Sequence, residues 1–143
     1  MFQLVGRTLD ELFVHDFLLL KFDASERSIC GAIAAHLHMA LPEYDTDVEY
    51  NRLGKGEVKR LNLTKPSGLE KECSVFPDII VHRRTIEDNL LVIEVKKAKS
   101  AGSAVYAKAK AFDLDKLAAY RAQLGYQNAL FIELPTGLSL IHI

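Results

Sequence analysis

Residues 76–97 read FPDIIVHRRTIEDNLLVIEVKK, and how this stretch folds decides the fold of the whole chain. Two apolar runs flank a polar break, which predicts strands over Phe76–Arg83 and Leu90–Lys96 joined through Arg84 to Asn89, where Asp88-Asn89 suits a turn. Consecutive strands of this kind most simply pair as a hairpin. Side chains alternate across a strand, so Asp78, Ile80 and His82 share one face and Ile79 and Val81 the other. Likewise Glu94 and Lys96 share a face opposite Leu91, Ile93 and Val95. An even register places Asp78 opposite Lys96 and diagonal to Glu94, within cross-strand reach; an odd register separates them onto opposite faces.

Outward from the hairpin, Leu114, Leu117, Ala118, Arg121 and Leu124 follow a helical period up to Gly125, a C-terminal cap. That helix is predicted to begin near Asp113 or somewhat earlier. Ala129 to Leu134 reads as an apolar strand stopped by Pro135, and Leu138 to Ile143 as a possible further one. Upstream, the capping-box spacings Thr8 to Glu11 and Asp23 to Glu26 predict helices over about 8–20 and from Asp23 to Leu41, the second ended by Pro42. Period-two alternation from Asp45 to Asn51 predicts a short strand. Between Arg52 and Val75, Gly54, Gly56, Pro66 and Gly68 lie among six basic and three acidic residues, which predicts a mobile loop or loose hairpin. The order is α, α, β, β, β, α, β, an α/β sandwich with a mixed sheet.

At 143 residues this is one domain, residues 1–143, with a real core. An apolar fraction of 49% with 26% charged residues fits a soluble globular chain. No run approaches the roughly 20 apolar residues needed to span a bilayer, and Asp10, Glu11 and Asp16 exclude a signal peptide; the expected location is cytoplasmic, with no membrane partner. Cys30 and Cys73 form no zinc pattern, and a bridge between them has no support. The net charge of −1 conceals an asymmetry: residues 1–50 carry 3 basic and 9 acidic side chains, residues 51–143 carry 15 and 10. A basic surface able to meet a polyanion is permitted, although charge runs are more often solvated faces.

Two carboxylates converging at a sheet rim are costly unless a positive group lies between them, and such hard oxygen ligands suit Mg²⁺ or Mn²⁺. A dication there polarises a phosphodiester and acidifies bound water, while Lys96 positions that water or neutralises charge on the phosphate. Metal-assisted phosphodiester hydrolysis is the implied reaction.

Pro77-Asp78, fifteen intervening residues and Glu94-Val95-Lys96 resemble the PD-(D/E)xK signature of the restriction-endonuclease-like nuclease superfamily. The resemblance runs from about Asp23 to Leu134, since that superfamily's α-β-β-β-α-β core has the order derived above, with the first helix as an N-terminal addition. It implies a metal-dependent nuclease, most naturally acting on DNA, with Asp78 and Glu94 as metal ligands, the Val95 carbonyl as a further ligand and Lys96 as the catalytic lysine. Many members add a glutamate from the helix before the sheet, for which Glu26 is the candidate. Lys116 and Tyr120 resemble a family pair in which the first residue is often glutamine.

Each candidate has a plainer alternative. Asp78, Glu94 and Lys96 could be a salt-bridged strand end. Glu26 could complete a capping box, and Glu49, a second-tier candidate, could be a solvent-facing strand residue. Arg52, Lys55, Lys59 and Arg60, with Lys97 and Lys99, are candidate nucleic-acid contacts or solvated charges. Lys116 and Tyr120 are one helical turn apart whether or not they serve a site, Asp113 reads as an N-cap, and His82 as a structural histidine. A nuclease-like module that binds nucleic acid or protein without catalysis is the competing function, and a homodimer or a subunit of a larger assembly is compatible with the short chain.

Overall fold

The computed structural model describes residues 1–53, 57–64, 70–98 and 102–137. In chain order its elements are α1 (Phe2–His15), α2 (Phe17–Lys21), α3 (Glu26–Ala40), β1 (Asp45–Val48), β2 (Arg52–Leu53), β3 (Glu57–Val58), β4 (Arg60–Thr64), β5 (Glu70–Ser74), β6 (Ile79–Arg83), β7 (Asp88–Lys97), α4 (Ala104–Leu124) and β8 (Asn128–Leu134).

The main sheet has the order β1-β6-β7-β8, antiparallel through β7 and parallel between β7 and β8. This is an α/β fold with a mixed four-stranded sheet flanked by helices. The parallel step needs a crossover, and α4 supplies it. Alternation along the central strands divides the interior into two cores. Ile79, Val81, Leu91, Ile93 and Val95 pack with Leu12, Leu20, Ile29, Ile33 and Leu37 beneath α1, α2 and α3. Ile80 and Val92 pack on the other face with Leu117, Ala119 and Tyr120 of α4. Each fully buried Leu or Ile contributes about 1.5–3 kcal/mol, so the two cores hold β6 and β7 from both sides.

Several boundaries differ from the sequence expectations. The first predicted helix is two helices broken at Asp16, and Thr8 does not cap it: its hydroxyl donates back to the Leu4 carbonyl at 3.0 Å. Ser25, not Asp23, caps α3, accepting the Ser28 N–H at 3.1 Å, which releases Glu26 from any capping box. α4 starts at Ala104 with Ser103 as its cap, so Asp113 lies inside the helix. Gly125 ends it in the left-handed conformation at φ 69°, which favours glycine. The basic segment expected to be a loop or loose hairpin contributes two antiparallel ribbons, β2-β3 and β4-β5, the latter carrying Leu61 and Leu63 into the α4-side core. The expected strand from Leu138 to Ile143 lies outside the described residues.

Candidate functional site

The hairpin register is even next to Asp78 but differs in phase from the expectation. Ile79 pairs with Ile93, so Asp78 lines up with Glu94 rather than Lys96. β6 begins at Ile79, which leaves the end of β7 without a strand neighbour on that side among the described residues. Two carboxylates take over the ladder there. Asp78 Oδ2 accepts the Val95 N–H at 2.8 Å, and Glu26 Oε2 accepts the Lys97 N–H at 3.1 Å. Glu49, at the end of β1, donates its backbone N–H to the Asp78 carbonyl at 3.2 Å. Its φ of 53° is a left-handed conformation unusual outside glycine, and its carboxylate accepts from Arg27 at 2.6 Å.

Glu94 projects toward α4 and is 1% exposed. Lys116 Nζ lies 3.4 Å from its Oε2, whereas Oε1 is buried without a hydrogen-bond partner among the described residues. Burial, then the Asp78 charge, push the Glu94 carboxyl up to about 9, against the pull of Lys116. Lys96 Nζ pairs with Asp113 at 2.9 Å, and Asp113 also holds Lys116 at 3.1 Å. Burial works against the charge on both lysines, yet each is held above the usual lysine range, Lys96 by Asp113 and Lys116 by Glu94 and Asp113. Tyr120 is fully buried; its hydroxyl has no hydrogen-bond partner among the described residues and is pushed far up by burial and then by the Glu94 charge.

The structure therefore brings together Asp78, Glu94, Val95, Lys96 and Lys116, with Glu26 and Glu49 on the α3 side. The Cys30 thiol registers this acidic concentration: burial first, then the charges of Asp78, Glu26, Glu94 and Glu49, push it up to about 12. Cys30 is a free thiol, so the Cys30–Cys73 bridge does not form. The sequence does not mark Asp113 as a site residue, because its pairing with two lysines appears only once α4 lies across β7.

The basic candidates divide. Arg52 is exposed, and Arg60 is exposed and 3.7 Å from Glu72. Lys55 and Lys99 lie outside the described residues. Lys59 is corrected by its burial: it is 0% exposed, donates to the Tyr50 carbonyl at 3.2 Å and lies over the Tyr50 and Tyr126 rings, away from any nucleic-acid surface. The same applies to Tyr120, whose ring fills the α4-side core. Lys97 is committed to Asp23 at 3.1 Å and the Ala24 carbonyl at 3.3 Å, and Lys116 to the acids of the site. His82 lies away from the Glu94 carboxylate, 2.8 Å from Asp47, which Arg84 also grips. Burial holds His82 below its ordinary range despite that bond to Asp47.

A hard dication would find donors in Asp78, Glu94 and the Val95 carbonyl, and the unpartnered Glu94 Oε1 is the oxygen that lacks a partner. Among the described residues, no group of three His, Cys, Asp or Glu side chains already converges at metal-binding spacing. Lys116 is the positive group beside Glu94. No described helix is long and apolar enough to cross a membrane. In comparisons with protein-family models, curated proteins and solved structures, nothing matches the chain.

Proposed function

We propose that the chain is a divalent-metal-dependent nuclease of the PD-(D/E)xK, restriction-endonuclease-like type, hydrolysing phosphodiester bonds in DNA. The observation that carries it is the Asp78-to-Val95 bond, which sets Asp78 beside Glu94-Val95-Lys96 while one buried Glu94 oxygen stays unpartnered. The order α3, β1, β6, β7, α4, β8 agrees with the core that the resemblance calls for.

Asp78, Glu94 and the Val95 carbonyl would hold Mg²⁺ or Mn²⁺, whereas the Glu26 carboxylate is engaged by the Lys97 N–H. The ion would supply Lewis-acid polarisation of the phosphate and acidification of a water. Asp78 keeps the Glu94-Val95-Lys96 segment in place by bonding its backbone. Lys96, held charged by Asp113, presents an ammonium to a developing negative charge on the phosphate. Lys116 steadies the Glu94 carboxylate.

A second reading, a non-catalytic module that binds nucleic acid or a protein, is favoured by the internal pairing of both lysines. Isothermal titration with Mn²⁺, together with cleavage assays on single- and double-stranded DNA and RNA, separates the two. The nuclease reading expects Mn²⁺ binding that Asp78→Ala and Glu94→Ala abolish, and cleavage that Lys96→Ala lowers by at least about 100-fold. Metal binding without cleavage supports the module; absence of both sinks the nuclease reading.

A further inference from the structure

Phe112 is a large aromatic side chain left 52% exposed on α4, next in sequence to Asp113. Lys116 Nζ lies 5.4 Å from the centre of its ring and 3.4 Å from Glu94 Oε2. One lysine therefore spans the distance between the ring and the carboxylate of the candidate site. Beside the ring, between α4 and β4, is a cavity of about 260 Å³ lined by Asn62, Leu63, Phe112, Asp115 and Ala119. Its walls are fixed to one another: the Gln123 amide accepts the Asn62 N–H at 2.8 Å and donates to the Asn62 carbonyl at 3.0 Å, latching β4 to α4.

The lining is suited to one kind of ligand. Leu63 and Ala119 form an apolar floor, Phe112 offers an aromatic wall, and Asn62 and Asp115 supply polar groups at an exposed rim. The Asp115 carboxylate repels a phosphate but accepts a hydrogen bond from an exocyclic amine, as on cytosine. A flat aromatic heterocycle with a polar edge matches both the wall and the rim, and stacking on an aromatic side chain is the sequence-tolerant way in which proteins hold single strands.

We infer that this cavity is a nucleobase subsite, in which Phe112 stacks an unpaired base of the strand whose backbone lies at Glu94 and Lys96. The inference rests on the nuclease reading and names its substrate class: a strand with at least one unstacked base next to the scissile phosphate. Phe112 is a binding residue here and makes no contact with the reacting atoms.

The chain has no tryptophan, so Phe112→Trp introduces a single fluorescent reporter. It is titrated, as the full chain in Ca²⁺ buffer, with a 20-nucleotide oligo-dC and with an abasic oligonucleotide of the same length. Binding is followed independently by the anisotropy of a dye on the oligonucleotide. Stacking predicts quenching of the introduced indole's emission by oligo-dC and little by the abasic strand. It also predicts that Phe112→Ala weakens oligo-dC binding by about five- to a hundredfold, leaving abasic binding and Mn²⁺ binding unchanged. Oligonucleotide binding without quenching, or equal quenching by both strands, overturns the subsite and leaves the nuclease reading standing. Absence of binding by either strand also overturns the subsite, and the nuclease reading is then decided by the Mn²⁺ titration and the cleavage assays.

Discussion

The carboxylate of Asp78 holds the backbone N–H of Val95 at 2.8 Å, so the first half of the motif is a structural support for the second. A hydrogen bond to a charged acceptor is worth about 1.5–3 kcal/mol. Asp78→Ala should lower stability in urea unfolding by that amount, whereas Asp78→Asn, which keeps an acceptor oxygen, should lose clearly less. Both should lose Mn²⁺ affinity. Equal stability of the alanine variant and wild type would show that the bond contributes nothing to the fold.

Asp113 binds Lys96 and Lys116 at once from inside α4. Removing one partner from a buried ionic cluster typically costs about 3–5 kcal/mol, so Asp113→Ala should be severely destabilised and Asp113→Asn the informative variant. With Asn in place, kcat should fall by up to about 100-fold because Lys96 loses its orientation, while Mn²⁺ affinity and KM stay near wild type. Loss confined to KM would argue against a positioning role.

Lys59 tests the buried charge far from the motif. Burial pushes its ammonium down to about 8 from 10.5, with Asp47 pulling the other way. Between about 8 and 10.5 the unfolded chain therefore binds more protons than the folded one, so stability rises with pH across that window and its penalty is complete below it. Lys59→Met should flatten this rise and stabilise the protein at pH 7, by up to about 3 kcal/mol. Urea midpoints from pH 7 to 10.5 measure it; an unchanged slope in the variant rejects the assignment.

Glu49 separates backbone from side chain. Its φ of 53° is a conformation that glycine adopts freely and alanine resists. Glu49→Gly should match or exceed wild-type stability by about 0.5 kcal/mol, whereas Glu49→Ala, which keeps the strained backbone and loses only the exposed Arg27 pair, should stay within about 0.5 kcal/mol of wild type. If glycine is as damaging as alanine, the side chain matters more than the turn.

Much of the central sheet is legible in the sequence because its signals are local. The alternation in 76–97 predicts the faces of β6 and β7, Pro42 marks the end of α3, and Gly125 closes α4. The apolar period starts α4 too late for a physical reason. The inward face of the helix carries Asp113 and Lys116, partners for charges on β7, and polar residues there interrupt the pattern that announces a helix. The same blindness hides Asp113 from the site, since a polar residue on a helix reads as surface until a buried opposite charge is placed across from it. Lys59 fails in the other direction: in sequence it belongs to a basic run, and only the packing of Tyr50 and Tyr126 around its ammonium buries it.

The hairpin carries one irregularity: Val81 pairs with Leu91 but His82 with Asn89, so Leu90 is an extra residue on β7. A bulge of this kind absorbs a phase change within the ladder. The tip around Arg84 is therefore uncoupled from the base, where Ile79 faces Ile93. The fifteen residues between Asp78 and Glu94 are a property of the tip and not of the chemistry. Insertions or deletions at the tip should leave the alignment of the acids intact, whereas a single added residue between Asp78 and Val81 would turn one of them to the opposite face.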